Sequence, residues 1–235
     1  MLRAVLLDFN GVLVDDEAIH GELVQRVLAE EGIELPAERY RELFAGRDER
    51  SALARILEEE GRPAGPAEVM ALVARKARGY QEVARRQGFT FFPGALELIE
   101  GAARQGLMLG LVSGALREEI VQALHQASLR PYFKVMVTAE DVREGKPSPE
   151  AYLLALDLLN GQPPLPERLL HPHEVLAVED SPAGVEAAGQ AGLATLAVAS
   201  VYTEGELGAA DLRVASLADL DPDRLQELFA EASRR

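Results

Sequence analysis

Two kinds of hydrophobic pattern follow one another along the chain, and the change between them divides it. Residues 4–7 (AVLL) form an unbroken apolar run that ends at Asp8, with Gly11 three residues further on. An unbroken run suits a strand covered on both faces, as in a parallel sheet; a half-exposed strand would alternate. From there to residue 88 the period is helical. Within 17–31, Ile19, Leu23, Val27 and, less regularly, Leu28 recur at helical spacing, and Gly32 stops the run. Segments 37–45, 49–60 and 66–87 also read as helices, punctuated by Gly46, by Gly61-Arg62-Pro63 and by Gly88. No strand pattern interrupts them.

After Phe91 strands and helices alternate. Pro93 and Gly94 open a helix that ends near Gly106. LMLGLV (107–112), FKVMVT (133–138), EVLAVED (174–180) and ATLAVA (194–199) read as strands. Helices are predicted over 116–127, after Pro149, and from Pro182 to Gly192. LRVA (212–215) reads as a short edge strand, a helix closes the chain from Pro222, and the proline-rich stretch 160–173 reads as a surface loop. Strands separated by helical segments of about ten residues predict an α/β fold, a doubly wound parallel sheet with helices on both faces. The block of helices after the first strand predicts a separate all-helical lid. The expected division is a Rossmann-like core of 1–15 and 89–235 with a small inserted cap of 16–88.

Composition narrows the function classes. At 235 residues, 48% of them hydrophobic, the chain can bury a core and a smaller partner domain. Its 24 basic against 39 acidic residues give a formal charge of −15, which disfavours nucleic acid as a partner. An anionic small molecule is not disfavoured, because local charges govern a pocket. Cysteine is absent, so disulfides, cysteine zinc sites and thiol catalysis are excluded. No apolar run approaches the ~18 residues of a membrane span. The first strand begins with no signal peptide ahead of it, so a cytoplasmic protein is expected, as a monomer or weak homo-oligomer.

In parallel sheets chemistry collects at the carboxyl ends of strands. Asp8 stands at such an end and is a candidate nucleophile or metal ligand. Glu179 and Asp180 stand at another, although they could equally cap the helix that follows, with Asp180 or Ser181 just ahead of Pro182. Ser113 and Gly114 lie between a strand and a helix, where a hydroxyl and backbone N–H groups make an anion site or simply a turn. Lys146, between Gly145 and Pro147, would by itself read as a solvated lysine.

Taken together, LLDFNGVLVD (6–15), LGLVSGA (109–115), GKPSPEAY (145–152) and VLAVEDSPAGVEAA (175–188) resemble, in order, the motifs of the haloacid dehalogenase superfamily. The branch resembled holds the phosphoglycolate phosphatases and β-phosphoglucomutases, and the resemblance spans about residues 3–200. It implies a hydrolase, a magnesium-dependent phosphatase acting on a small phosphorylated metabolite. Asp8 would attack phosphorus and form an aspartyl-phosphate. Asp180 would bind Mg2+, Glu179 would support it, and the backbone carbonyl of Asn10 would be a further ligand. Ser113, Gly114 and Lys146 would bind the phosphoryl group. In the helical cap, His20, Arg47 and Lys76 are the substrate-binding candidates, with Arg50 beside them. Lys76 aligns with a cap lysine of the family, whereas Arg47 and Arg50 would otherwise read as solvated side chains. His171 and His173 lack further ligands and read as loop residues.

One position departs from the pattern. Asn10 stands where phosphatases of the superfamily carry an aspartate that protonates the leaving alcohol and then activates water. Three explanations stay open: a substrate with a good leaving group, a substitute among Asp15, Asp16, Glu17 and His20, or an engineered asparagine that traps a complex. The same residue keeps two alternatives open beside hydrolysis: a β-phosphoglucomutase-like phosphomutase, and a slow or inactive member that binds a phosphorylated ligand.

Overall fold

The structure, a computed structural model, describes residues 1–44, 49–163 and 168–232. Strand β1 (Ala4–Leu7) is buried along its whole length, as an apolar run without alternation requires. Helices α1 (Glu17–Glu30), α2 (Ala37–Phe44), α3 (Glu49–Glu59) and α4 (Pro66–Gln87) follow it. Then come α5 (Ala95–Arg104), β2 (Met108–Val112), α6 (Arg117–Gln126), β3 (Phe133–Val137), α7 (Glu150–Asn160) and β4 (Val175–Glu179). The chain ends through α8 (Pro182–Gln190), β5 (Ala194–Val198), β6 (Leu212–Val214) and α9 (Leu225–Ala232). The closing helix begins later than Pro222. A 3-10 turn over Pro222–Arg224 precedes it, because the Asp221 side chain accepts the Asp223 amide at 3.0 Å and tightens the entry.

The chain divides into two compact units, one of Met1–Asp15 with Thr90–Arg235, the other of Asp16–Phe89. The larger unit is an α/β fold. Among the described residues its six strands pair in the order β3-β2-β1-β4-β5-β6, every pair parallel. β1 therefore has β2 on one side and β4 on the other, a topological switch point, where open α/β sheets bind ligands outside the carboxyl ends of their strands. The register levels Leu7 with Leu111 of β2 and with Val178 of β4. Asp8 thus leaves β1 beside the last residue of β4. Beneath one face, Tyr152, Ala155 and Leu159 of α7 and Ala187 and Ala188 of α8 pack with Leu6, Val135 and Ala177 of the sheet. Each fully buried Leu or Val side chain contributes roughly 1.5–3 kcal/mol, so this layer rigidly sets the heights of α7 and α8 against the strands.

Among the described residues the smaller unit is all helical. Val24 and Leu28 of α1, Leu53, Ile56 and Leu57 of α3, and Val69 and Leu72 of α4 close one core with Ile33, Leu35 and Tyr40. Ile19 and Leu23 pack separately, with Tyr80, Ala84 and Phe89. Among the described residues no helix is long and apolar enough to cross a membrane.

Candidate active site

Asp8 is held as an extension of β1, since its amide donates to the Val178 carbonyl at 3.0 Å. Its Oδ1 accepts the Phe9 amide at 2.7 Å and its Oδ2 meets Lys146 Nζ at 2.9 Å. The backbone then doubles back, with the amides of Leu13 and Val14 donating to the Phe9 carbonyl at 2.8 and 3.0 Å. Gly11 makes this turn with φ +73°, and a Cβ there would lie 2.1 Å from Oδ2 of Asp180. Glycine is required both for the backbone and for the space. The Ser200 hydroxyl donates to the Gly11 carbonyl at 2.5 Å and ties the turn to the segment after β5. Asn10 sits half-buried within the turn, bridged to Val14.

Glu179 ends β4 and is 0% exposed. Its Oε1 accepts from the Tyr152 hydroxyl and from Lys146 Nζ, the latter at 2.5 Å. Among the described residues its Oε2 is buried without a hydrogen-bond partner. Lys146 Nζ also donates to the Val112 carbonyl at 3.1 Å, at the end of β2. One ligand atom each from Asp8, Glu179 and Asp180 lie within 4.8 Å of one another. Three carboxylates so close, with an unsatisfied oxygen among them, suit a hard divalent cation, which takes oxygen ligands. Capping does not account for Asp180: Ser181 is the residue that caps α8, its hydroxyl accepting the Gly184 amide at 3.1 Å.

The charges are strongly coupled. Burial opposes the ammonium of Lys146, but Asp8 and Glu179 outweigh it and hold its pKa above the ordinary lysine value. Burial pushes the Glu179 carboxyl up to about 7, with the charge of Asp8 adding to the rise and Lys146 opposing it. The Tyr152 hydroxyl is pushed well above its usual value, first by burial and then by the charges of Glu179 and Asp8. It stays a neutral donor.

Of the residues singled out from the sequence, Asp8, Lys146, Glu179 and Asp180 come together here. Ser113 follows β2 directly, is buried, and its hydroxyl accepts the Ala115 amide at 3.1 Å, which leaves its proton to donate. Gly114 beside it is exposed. His20 and Lys76 belong to the helical unit and have partners there. His20 meets Asp16 at 3.2 Å and stacks on Tyr80 with ring centroids 4.7 Å apart. Lys76 is buried and paired with Glu49 at 2.8 Å. Arg47 lies outside the described residues. His171 and His173 stack on each other in the turn before β4. Tyr152, Gly184 and Ser200 were not legible as site residues. The one available signal for Tyr152 was a tyrosine on the apolar face of a helix, whose hydroxyl needs a buried partner.

A parallel α/β sheet that gathers a carboxylate, a lysine and an acidic pair at its switch point is suited to holding an anionic ligand beside a cation. Residues 5–198 match the haloacid dehalogenase-like hydrolase family, and the chain belongs to it. Its place is the branch of phosphatases and β-phosphoglucomutases. The phosphorylated carbohydrates phosphatase of Thermotoga maritima is 29% identical over 98% of this chain and 99% of that protein. A crystal structure of CbbY from Rhodobacter sphaeroides is similar with a TM-score of 0.81 and 27% identity, covering 94% of this chain and 96% of that one. That CbbY is a mutant with asparagine in place of an aspartate, in complex with xylulose-(1,5)bisphosphate. The β-phosphoglucomutase of Clostridium difficile shares the fold, with a TM-score of 0.84 at 22% identity over 100% of both chains.

Proposed function

We propose that this chain is a magnesium-dependent phosphatase that hydrolyses a small phosphorylated metabolite, a phosphorylated sugar in the first instance, through an aspartyl-phosphate on Asp8. The observation that carries the reading is the convergence of Asp8, Lys146, Glu179 and Asp180 at the carboxyl ends of β1 and β4. The sugar class is supported by the phosphorylated carbohydrates phosphatase and by the CbbY complex.

An oxygen of Asp8 attacks phosphorus, the ester P–O bond breaks and the sugar alkoxide leaves, taking a proton from solvent water. A water molecule then attacks the same phosphorus and gives up its proton to solvent, and the bond between phosphorus and the Asp8 oxygen breaks, which releases inorganic phosphate and returns Asp8 as a carboxylate. Lys146 offsets the negative charge of Asp8 and of the phosphoryl oxygens, which a buried carboxylate could not face alone. Ser113 and the backbone around Gly114 donate to the remaining oxygens. Glu179, Asp180, Asp8 and the carbonyl of Asn10 hold the cation. Magnesium, when bound, neutralises charge on the transferring phosphoryl group and fixes its orientation. The Asn10 side chain orients the leaving oxygen or the water by hydrogen bonding, without exchanging a proton. The inserted helical unit is the part of the chain expected to set which substrate is taken.

Asn10 also favours a second reading, a slow enzyme or a binding protein that retains the phosphorylated ligand. Steady-state phosphatase assays with and without Mg2+, on a panel of sugar phosphates and an activated aryl phosphate, separate the two. Metal-dependent turnover that Asp8→Asn abolishes supports the phosphatase. Tight binding of a sugar phosphate with no turnover by the folded protein supports the binder. Neither turnover nor binding overturns both.

A further inference from the structure

The geometry points to Tyr152 as a positioning residue for the cation site, a role that rests on the phosphatase reading above. Tyr152 is 0% exposed, and its ring belongs to the apolar layer under the sheet. Its hydroxyl donates to Oε1 of Glu179, on a different element and 27 positions along the chain. Lys146 reaches the same oxygen but is shared with Asp8 and the Val112 carbonyl, so it cannot by itself fix how the Glu179 carboxylate is turned. The tyrosine is the donor dedicated to Glu179.

The consequence is an asymmetric carboxylate. Oε1 is occupied by two donors, while Oε2 has none and is pressed against Gly184, whose Cβ, if present, would stand 1.9 Å away. Tyr152 thereby keeps one oxygen committed to the protein and leaves the other without a protein donor, available to a cation or to water bound on it. With the hydroxyl removed, the carboxylate could rotate about its Cγ–Cδ bond and share Lys146 through either oxygen. The cation would then have to reorder Glu179 as it bound. Hydrogen-bond partners of metal ligands typically govern affinity by about 10–100-fold.

The test is Mg2+ binding by titration calorimetry, measured without substrate on the full chain and on Tyr152→Phe, Glu179→Gln and Asp180→Asn. Tyr152→Phe keeps the ring in its layer and removes only the donor. The expected result is a Mg2+ dissociation constant raised about 10-fold or more by Tyr152→Phe, with binding of inorganic phosphate in chelator unchanged. A merely structural role would lower the melting temperature and leave the Mg2+ dissociation constant of the folded protein where it was. That outcome, with Glu179→Gln and Asp180→Asn both weakened, overturns the role of Tyr152 and leaves the cation site standing. Unchanged binding in all three variants overturns the cation site itself, and the role of Tyr152 with it.

Discussion

Oε2 of Glu179 occupies the space into which a side chain on Gly184 would project: a Cβ on that glycine would stand 1.9 Å from it. Glycine inside a helix is ordinarily a weakness of about 0.5–1 kcal/mol against alanine. Helix α8 keeps it in its first turn because the carboxylate needs the room. Gly189 of the same helix has nothing among the described residues within 4 Å of its Cβ position and provides the control. Gly189→Ala should raise stability by up to about 1 kcal/mol in chemical denaturation. Gly184→Ala should lower it and weaken Mg2+-dependent activity, since Glu179 must move. Equal stabilisation by both substitutions would show that Glu179 yields freely and is not fixed by this contact.

Lys146 is the cation shared by Asp8 and Glu179, at 2.9 and 2.5 Å. Lys146→Met keeps the length of the stem and leaves both carboxylates without it. Breaking a buried ion pair from one side typically costs about 3–5 kcal/mol, because the remaining charge stays buried. The variant should therefore be several kcal/mol less stable in chelator and inactive as a phosphatase. It should also gain more melting temperature from Mg2+ than the unmodified chain does, as the cation becomes the sole counter-charge and binds the folded state more tightly. Thermal unfolding with and without Mg2+ checks this, and an equal or smaller gain in the variant would contradict it.

These two cases show which parts of the site the sequence carries. β1 and β4 were legible because strands buried on both faces are unbroken apolar runs, and Asp8, Glu179 and Asp180 were legible because they end those runs. Lys146 was legible only through its motif. Nothing local marks one loop lysine, and its place beside Asp8 follows from the folding of β3 and α7 around the switch point. Tyr152, Gly184 and Ser200 act through contacts made only in the folded sheet; Ser200 reaches Gly11 across 189 positions. The same holds in the helical unit, where Lys76 finds Glu49 27 positions away. Periodicity says which face of α4 is apolar but not which acid meets a lysine on it.

Glu174, just before β4, accepts the His171 amide and Arg3 Nη1, both at 3.1 Å, and pairs with Arg168. Burial resists its charge, but the His171 amide and the two guanidinium groups outweigh it and hold its carboxyl at about 2, below the usual 4.5. A carboxyl whose folded pKa is depressed stabilises the fold in full above its unfolded pKa and loses that contribution as pH falls through the folded one. Glu174→Gln should therefore be less stable than the unmodified chain near neutrality. The gap should close between about pH 4.5 and about pH 2. Melting temperatures of both proteins across that range measure it, and a gap that does not change with pH would remove Glu174 from the acid response.

Asn10 makes the sharpest kinetic prediction, because an amide can stabilise charge by donating a hydrogen bond but cannot deliver or remove a proton near neutrality. General acid–base assistance is typically worth about 10²–10⁴ in rate. In the proposed two-step reaction the deficit falls on both steps with an alkyl phosphate, whose alkoxide needs a proton. With an aryl phosphate it falls only on the second step, since the phenolate leaves unaided. The chain should therefore release a burst of phenol close to one per site, followed by slow turnover as water attacks the aspartyl-phosphate without a base. Asn10→Asp should abolish the burst and raise kcat for alkyl phosphates by about 10²–10⁴, with the larger gain on the poorer leaving group. Rapid-quench measurements on both substrates decide this. If Asn10→Asp leaves the burst and both rates unaltered, the proton moves through another side chain, and the slow-binder reading loses the residue that favours it.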